Sequence, residues 1–254
     1  MIKKIIYSLK SFIILASALK NPLVLVGYLF NRPVRLDFKL GISLMTSHWL
    51  EAIVAKETII DDDYRLRLLQ PTDIQPGRLI LDVGAGVGDW AVFAASKFPG
   101  AKIVAIEPNP DQYRLLQLNI KLNQVKNIIA YNLAVGTKKN YYLSVPSSSV
   151  HASTMKIDKP GKRMTVAGRR LDSFIAGPVD LVKIDCEGAE IDILKSISAE
   201  KMKLIGRFLI EYHNQIIADE DKKILILLKK YRYRTKQIKN PIVPQTGYIF
   251  ANLS

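Results

Sequence analysis

Cysteine is almost missing from this chain. One residue, Cys186, stands in 254 positions, which excludes an internal disulfide and a metal cluster of the cysteine type, and nothing in that usage points to secretion. Hydrophobic runs of membrane-spanning length are also missing. Residues 5–19 and 22–30 are apolar, but Lys10 and the Lys20-Asn21-Pro22 break interrupt them, short of the roughly 20 residues a spanning helix requires. No A-x-A-like cleavage site follows cleanly, so a cleaved signal peptide is not expected, and the cytoplasm is the default location. Acidic residues are scarce, 23 against 37 basic ones, leaving a formal net charge of +14. That excess suggests an anionic partner, whether nucleic acid, anionic membrane or phosphorylated substrate, without choosing among them. Its densest clusters are Lys156 to Arg170 and Lys222 to Lys239, which read equally well as solvated faces. No internal repeat is visible.

What is present suffices for a large core, since 48% of the chain is apolar. Residues 1–30 are expected to form a helical segment that packs on the domain or lies on a membrane surface with snorkelling lysines, a peripheral membrane contact. The alternation over 34–39 predicts a strand with one buried face, and 43–56 reads as a short helix, so 1–77 is an N-terminal segment and small cap. From residue 78 to 254 buried apolar runs alternate with amphipathic stretches, the pattern of a parallel sheet covered by helices. Strands are predicted over 79–83, 102–106, 127–131, 181–184 and 206–210, and helices over 89–98, 111–123, 190–197 and 219–230. Residues 141–145 and 164–167 read as additional strands around a polar segment, 147–162, expected to be an exposed mobile loop. Residues 231–238 and 246–253 alternate like a closing antiparallel pair.

The first predicted core strand ends Leu81-Asp82-Val83-Gly84-Ala85-Gly86-Val87-Gly88, and the second ends Ile106-Glu107-Pro108-Asn109. Strand, glycine turn, helix, strand and acid make a nucleotide-type cofactor pocket, the acid lying near the offset of about 20 residues at which it meets a ribose hydroxyl pair. Side chains at Gly84 or Gly86 would hold the backbone off a ligand, and Gly88 permits close helix packing. The spacing is G-x-G-x-G, not the dinucleotide G-x-G-x-x-G. Asp82 would also repel a diphosphate while attracting an ammonium or sulfonium group, and S-adenosylmethionine carries both.

Reactive groups of a doubly wound sheet collect at the carboxyl ends of its strands. Two later strands end Lys183-Ile184-Asp185-Cys186-Glu187-Gly188-Ala189-Glu190 and Leu209-Ile210-Glu211-Tyr212-His213. Asp185, Glu211 and His213 are therefore candidate catalytic groups, able to align an acceptor and take its proton, with Glu187 beside them. The same acids and histidine could instead hold a divalent cation that lowers a hydroxyl pKa; the metal-free version is preferred. Glu190 reads as a helix first-turn residue and Cys186 as a small buried one.

On the Asp82-Val83-Gly84-Ala85 turn with Gly88, Ile106-Glu107-Pro108-Asn109, Leu133-Ala134-Val135-Gly136, Leu171-Asp172 and the lysine-led D-x-E-G-A-E segment, the chain resembles the FkbM-type family of S-adenosylmethionine-dependent methyltransferases. It departs from that family at Gly86, where asparagine is usual. The resemblance implies a Rossmann-like, seven-stranded, mostly parallel α/β sheet with an antiparallel last pair, the class I methyltransferase fold. It also implies O-methylation, often of sugar or polyketide hydroxyls. Cofactor contacts are implied at Asp82, Gly84, Ala85, Gly86, Gly88, Glu107, Pro108, Ala134 and Asp185, with Glu107 on the ribose, Ala134 near the adenine and Asp185 facing the methyl group. The acceptor expected is a glycan, glycolipid or related small hydroxyl compound. Two other functions compete: an RNA methyltransferase, motivated by the charge, and a non-catalytic membrane- or partner-binding protein. Against RNA, the fourth strand is followed by Asp185-Cys186-Glu187-Gly188, not the N-P-P-aromatic segment that grips a flipped base.

Overall fold

The computed structural model describes residues 2–146 and 161–254. The polar segment expected to be a mobile loop, with Lys156 and Lys159, lies outside the described residues except for positions 161 and 162. The elements run α1 (Ile2–Ala18), a 3-10 helix (Pro22–Phe30), β1 (Val34–Asp37), β2 (Ser43–Thr46), α2 (Trp49–Lys56), β3 (Leu79–Val83), α3 (Asp89–Lys97), β4 (Lys102–Ile106), α4 (Pro110–Leu122) and β5 (Ile128–Tyr131). There follow β6 (Ala134–Val135), β7 (Asn140–Pro146), β8 (Gly161–Arg169), β9 (Val179–Ile184), α5 (Glu190–Lys195), α6 (Ala199–Met202), β10 (Arg207–His213), α7 (Glu220–Lys230), β11 (Tyr233–Lys239) and β12 (Thr246–Leu253).

Seven strands form the main sheet in the order β11-β12-β10-β9-β3-β4-β5. The ladders from β5 through β4, β3 and β9 to β10 are parallel, and β12 runs antiparallel to both β10 and β11. The inner strands are buried along nearly their whole length, which is why they read as continuous apolar runs, with helices covering both faces. The chain builds outward from β3 to β5, then returns to lay β9 on the other flank of β3. The strand order therefore reverses between β3 and β9, and a crevice opens at their carboxyl ends.

The cap departs from expectation in one place. Residues 43–46 form strand, not helix: β2 pairs antiparallel with β1, Val34 opposite Thr46 and Asp37 opposite Ser43. Leu44 and Thr46 are buried while Ser43 and Met45 are half-buried, a period of two. The side chains of Asn119 on α4 and Asn123, which caps its C-terminus, hold the other edge of β2. Each accepts from and donates to one residue's backbone, Met45 for Asn119 (2.6 and 3.0 Å) and Ser43 for Asn123 (2.8 and 2.6 Å). The helix starts only at Trp49, where Glu51 accepts the amides of Ser47 (2.6 Å) and His48 (3.3 Å) as a first-turn cap.

Leu15, Leu36, Phe38, Leu44 and Ile59 of the cap belong to the same apolar cluster as Trp90, Phe93 and Ile103. The cap thus shares a core with the α3 side of the sheet, and the division near residue 77 is not a break in packing. The opposite face is covered by α5 and α7 through Ile193, Ile224 and Leu228.

Candidate active site

The tip of β3 is built from glycine for reasons internal to the protein. Gly84 has φ 79°, and a Cβ there would lie 1.8 Å from the Asp185 carbonyl oxygen. The ends of β3 and β9 meet so closely that a side chain would strike the protein before any ligand. Gly88 caps α3 in the left-handed region, where a Cβ would sit 2.5 Å from Leu116 Cδ1 of α4, so its role is helix packing. Gly86 offers its amide instead. Glu107, buried at the end of β4, accepts that amide through Oε2 at 2.8 Å and the Asn109 amide through Oε1 at 2.8 Å. Burial pushes the Glu107 carboxyl up to about 7, against the pull of those two amides.

These tips enclose a cavity of about 200 Å³. Gly84, Ala85, Gly86, Glu107, Pro108, Ala134, Asp185, Glu211 and His213 all line it. Asp82 and Gly88, also expected as cofactor contacts, are not among its lining residues. Asp82 is fully buried below the cavity, and its Oδ1 lies 3.3 Å from Lys183 Nζ. Burial raises its carboxyl to about 6 despite the pull of the lysine. A sheet-centre aspartate thus acts through Lys183, whose Nζ donates to the Gly84 carbonyl at 2.9 Å and lies 3.6 Å from Asp185 Oδ2. Burial works against the lysine's charge, but Asp82, Asp185 and Asp89 outweigh it and hold Lys183 above its ordinary pKa. Lys183 thereby fixes the spacing of the β3 and β9 tips.

On the other wall, after β9, the chain turns through Glu187 (φ 49°) and Gly188 (φ 94°), two successive left-handed residues. The glycine suits that region and the glutamate carries the strain. The turn lets Glu190 Oε1 accept the Cys186 amide at 2.9 Å and face His213 Nδ1 at 3.2 Å. Glu190 is thus more than a helix first-turn charge: it is fully buried and orients the histidine. Nε2 of His213 lies 3.8 Å from Asp185, 3.9 Å from Glu187 and 4.0 Å from Glu211. Burial alone would lower the imidazole, but Glu190, Glu187 and Glu211 hold its pKa well above the usual value. Those acids favour the protonated form of the imidazole. Cys186, expected to be buried, is half-buried, and its thiol is pushed up by desolvation and by Glu190.

Tyr64 carries no signal in the sequence, lying in the polar run Asp61-Asp62-Asp63-Tyr64 between cap and core. In the fold it is buried against Tyr248, with ring centroids 5.3 Å apart, and its hydroxyl reaches both Asp185 Oδ2 and Glu211 Oε2 at 2.8 Å. A phenol has one proton for two carboxyl groups. Burial and the neighbouring Asp185 push the Glu211 carboxyl up to about 8, while His213 and the Tyr64 hydroxyl pull it down. Asp185, Glu211 and His213 also present ligand atoms within 4.8 Å of one another, as a divalent cation would need.

Among the described lining residues seven are acids (Glu51, Glu57, Asp89, Glu107, Asp185, Glu187 and Glu211) against Lys183 and His213. Such a wall rejects a diphosphate and fits a ligand bearing ammonium and sulfonium charge. A cofactor cavity at this point of reversal, with β12 inserted antiparallel, defines a class I methyltransferase. The methyltransferase FkbM domain matches residues 82–235, and the chain belongs to that family. Methyltransferases of this family are S-adenosylmethionine-dependent enzymes. The chain is 25% identical over 186 residues to Methyltransferase 1 of Beauveria bassiana, covering 62% of this chain and 72% of that protein. It is also 25% identical over 194 residues to methyltransferase sdnD of Sordaria araneosa, covering 62% and 73%. The crystal structure of methyltransferase FkbM from Methylobacillus flagellatus aligns with 98% of this chain and 60% of that one, at 15% identity and a TM-score of 0.49.

Proposed function

We propose that the protein is an O-methyltransferase acting on a hydroxyl of a glycan, glycolipid or related small molecule. The observation that carries this reading is the group formed by Asp185, Tyr64 and Glu211, a proton-accepting arrangement on the cavity wall opposite Glu107. S-adenosylmethionine, when bound, supplies a methyl carbon made electrophilic by its sulfonium charge. Glu107 would accept the ribose hydroxyls, the backbone from Gly84 to Gly86 would approach the amino-acid end, and Leu133 and Ala134 would flank the adenine. On the opposite wall Asp185 orients the acceptor hydroxyl for in-line attack. Glu211, with a carboxyl close to working pH, takes the proton as the new O–C bond forms, and Tyr64 holds the two acids in register. His213 balances the charge of this cluster. The metal-free version of the cycle is the one proposed, with the His213 imidazole facing the three acids from 3.8 to 4.0 Å.

Incubation with methyl-labelled cofactor and a fractionated native extract tests the reading. Label is expected in base-stable ethers of small glycans or glycolipids, with a rate unchanged by a chelator. Label entering RNA would replace it with the nucleic-acid reading that the net charge of +14 motivates. Absence of S-adenosylhomocysteine binding by calorimetry would replace it with the non-catalytic one.

A further inference from the structure

The cap leaves one apolar face uncovered, and it is built twice. Along α1, Ser11 and Leu15, and Leu19 just beyond, turn into the protein, while Leu9, Phe12 and Ile13 form a second strip at i, i+3 and i+4 that is exposed, Leu9 by 62%. In the 3-10 helix Pro22–Phe30, three residues make a turn, so Leu23, Val26 and Leu29 stack in one row. That row is exposed too, Leu23 by 76% and Leu29 by 81%, whereas Leu25 in the next row is buried. Trp49 joins the two elements, its ring centroid 5.8 Å from Phe12 and 5.8 Å from Tyr28. Scattered exposed leucines are ordinary; two ordered rows on neighbouring elements are not.

The charge around them is one-sided. Residues 1–50 hold seven lysines and arginines and one acid, Asp37. Asp37 is itself engaged by Arg35 at 2.9 Å, and Lys10, Lys20 and Arg32 are exposed. Apolar rows of this kind with a basic rim are complementary to the headgroup region of an anionic bilayer, where leucines enter the acyl boundary and lysines meet lipid phosphate. A second copy of the chain is disfavoured, since a twofold contact would set the same cations against each other. No described helix is long and apolar enough to cross a membrane, so the contact is interfacial.

We propose that the face formed by α1 and the 3-10 helix docks the enzyme on an anionic lipid surface. Trp49 opens α2, the helix whose Glu51 and Val54 line the cavity, so the bilayer contacts the same helix that walls the site.

Co-sedimentation of the full chain with vesicles tests this, using mixed phosphatidylglycerol and phosphatidylcholine against phosphatidylcholine alone. The wild type should pellet with the anionic vesicles, less so in high salt, and the pair Leu23→Glu and Leu29→Glu should weaken partition by about tenfold or more. Both leucines are exposed, so S-adenosylhomocysteine affinity should be unchanged in that variant, which keeps a failed docking surface distinct from a failed cofactor site. The proposal is overturned if the wild type stays in the supernatant, if both vesicle types bind it equally, or if the double variant still pellets. It is also overturned if the wild type is a dimer that this pair dissociates without ever binding lipid, which would assign the rows to self-association.

Discussion

Glu107 ends β4 and Glu211 lies near the end of β10, and burial raises both carboxyls, yet the protein holds them by different means. Glu107 is gripped by two backbone amides, those of Gly86 and Asn109. Glu211 is held by the hydroxyl of Tyr64 and the imidazole of His213. Backbone donors cannot titrate and are fixed by the chain trace, so they suit recognition of a constant ligand. Side-chain partners carry protons of their own, so they suit a step in which a proton moves. One wall of the cavity is a mould and the other is a proton store.

The sharpest way to break that distinction is Asp185→Asn, which should lower turnover by about 10²- to 10⁴-fold while leaving S-adenosylhomocysteine affinity unchanged in calorimetry. Retained turnover would show that the acceptor wall is not where the chemistry occurs. Glu107→Gln should do the opposite: about 10- to 100-fold weaker cofactor binding, with turnover recovered at saturating cofactor. Smaller again is Tyr64→Phe, for which about tenfold slower turnover is expected. The hydroxyl of Tyr64 lowers Glu211, so its removal should carry the alkaline-rising limb of the pH–rate profile upward from about 8; a limb that stays in place would leave Tyr64 a packing role only. The smallest effect is on stability. Glu107 and Glu211 are raised from an ordinary 4.5 to about 7 and about 8, so the folded chain keeps protons that the unfolded chain has released. His213 is raised as well, and its contribution is present below 6.5 and lost as pH climbs through its folded value. All three shifts have the same sign, so the melting temperature of the ligand-free protein should fall between pH 5 and pH 8.5 by several degrees. A rise across that window would mean these groups are ionised in the native state.

The mould was far more legible in the sequence than the proton store. Strand runs such as 79–83 and 102–106 announce themselves by composition, and the residues at their tips follow from chain order, so Glu107, Asp185 and Glu211 could be placed before any coordinates existed. Partners brought from a distance could not. Tyr64 is 121 positions from Asp185 and 147 from Glu211, in a stretch that the sequence pattern assigns to no element. Asp82, read as a cofactor contact, is fully buried outside the cavity lining, because alternation along a strand buried on both faces does not say which face looks toward a ligand. The same limit hid β2, whose outer edge is closed by asparagines more than 70 positions away.

Because Tyr64 arrives from the cap while both acids it joins arrive from the sheet, docking of the first 77 residues and readiness for reaction are one event. The amide grip on Glu107 comes wholly from the Rossmann-like portion, whereas the phenol on the opposite wall comes from the cap. Cap and sheet therefore act as a unit, and a graft that exchanges one without the other is expected to separate holding the donor from using it.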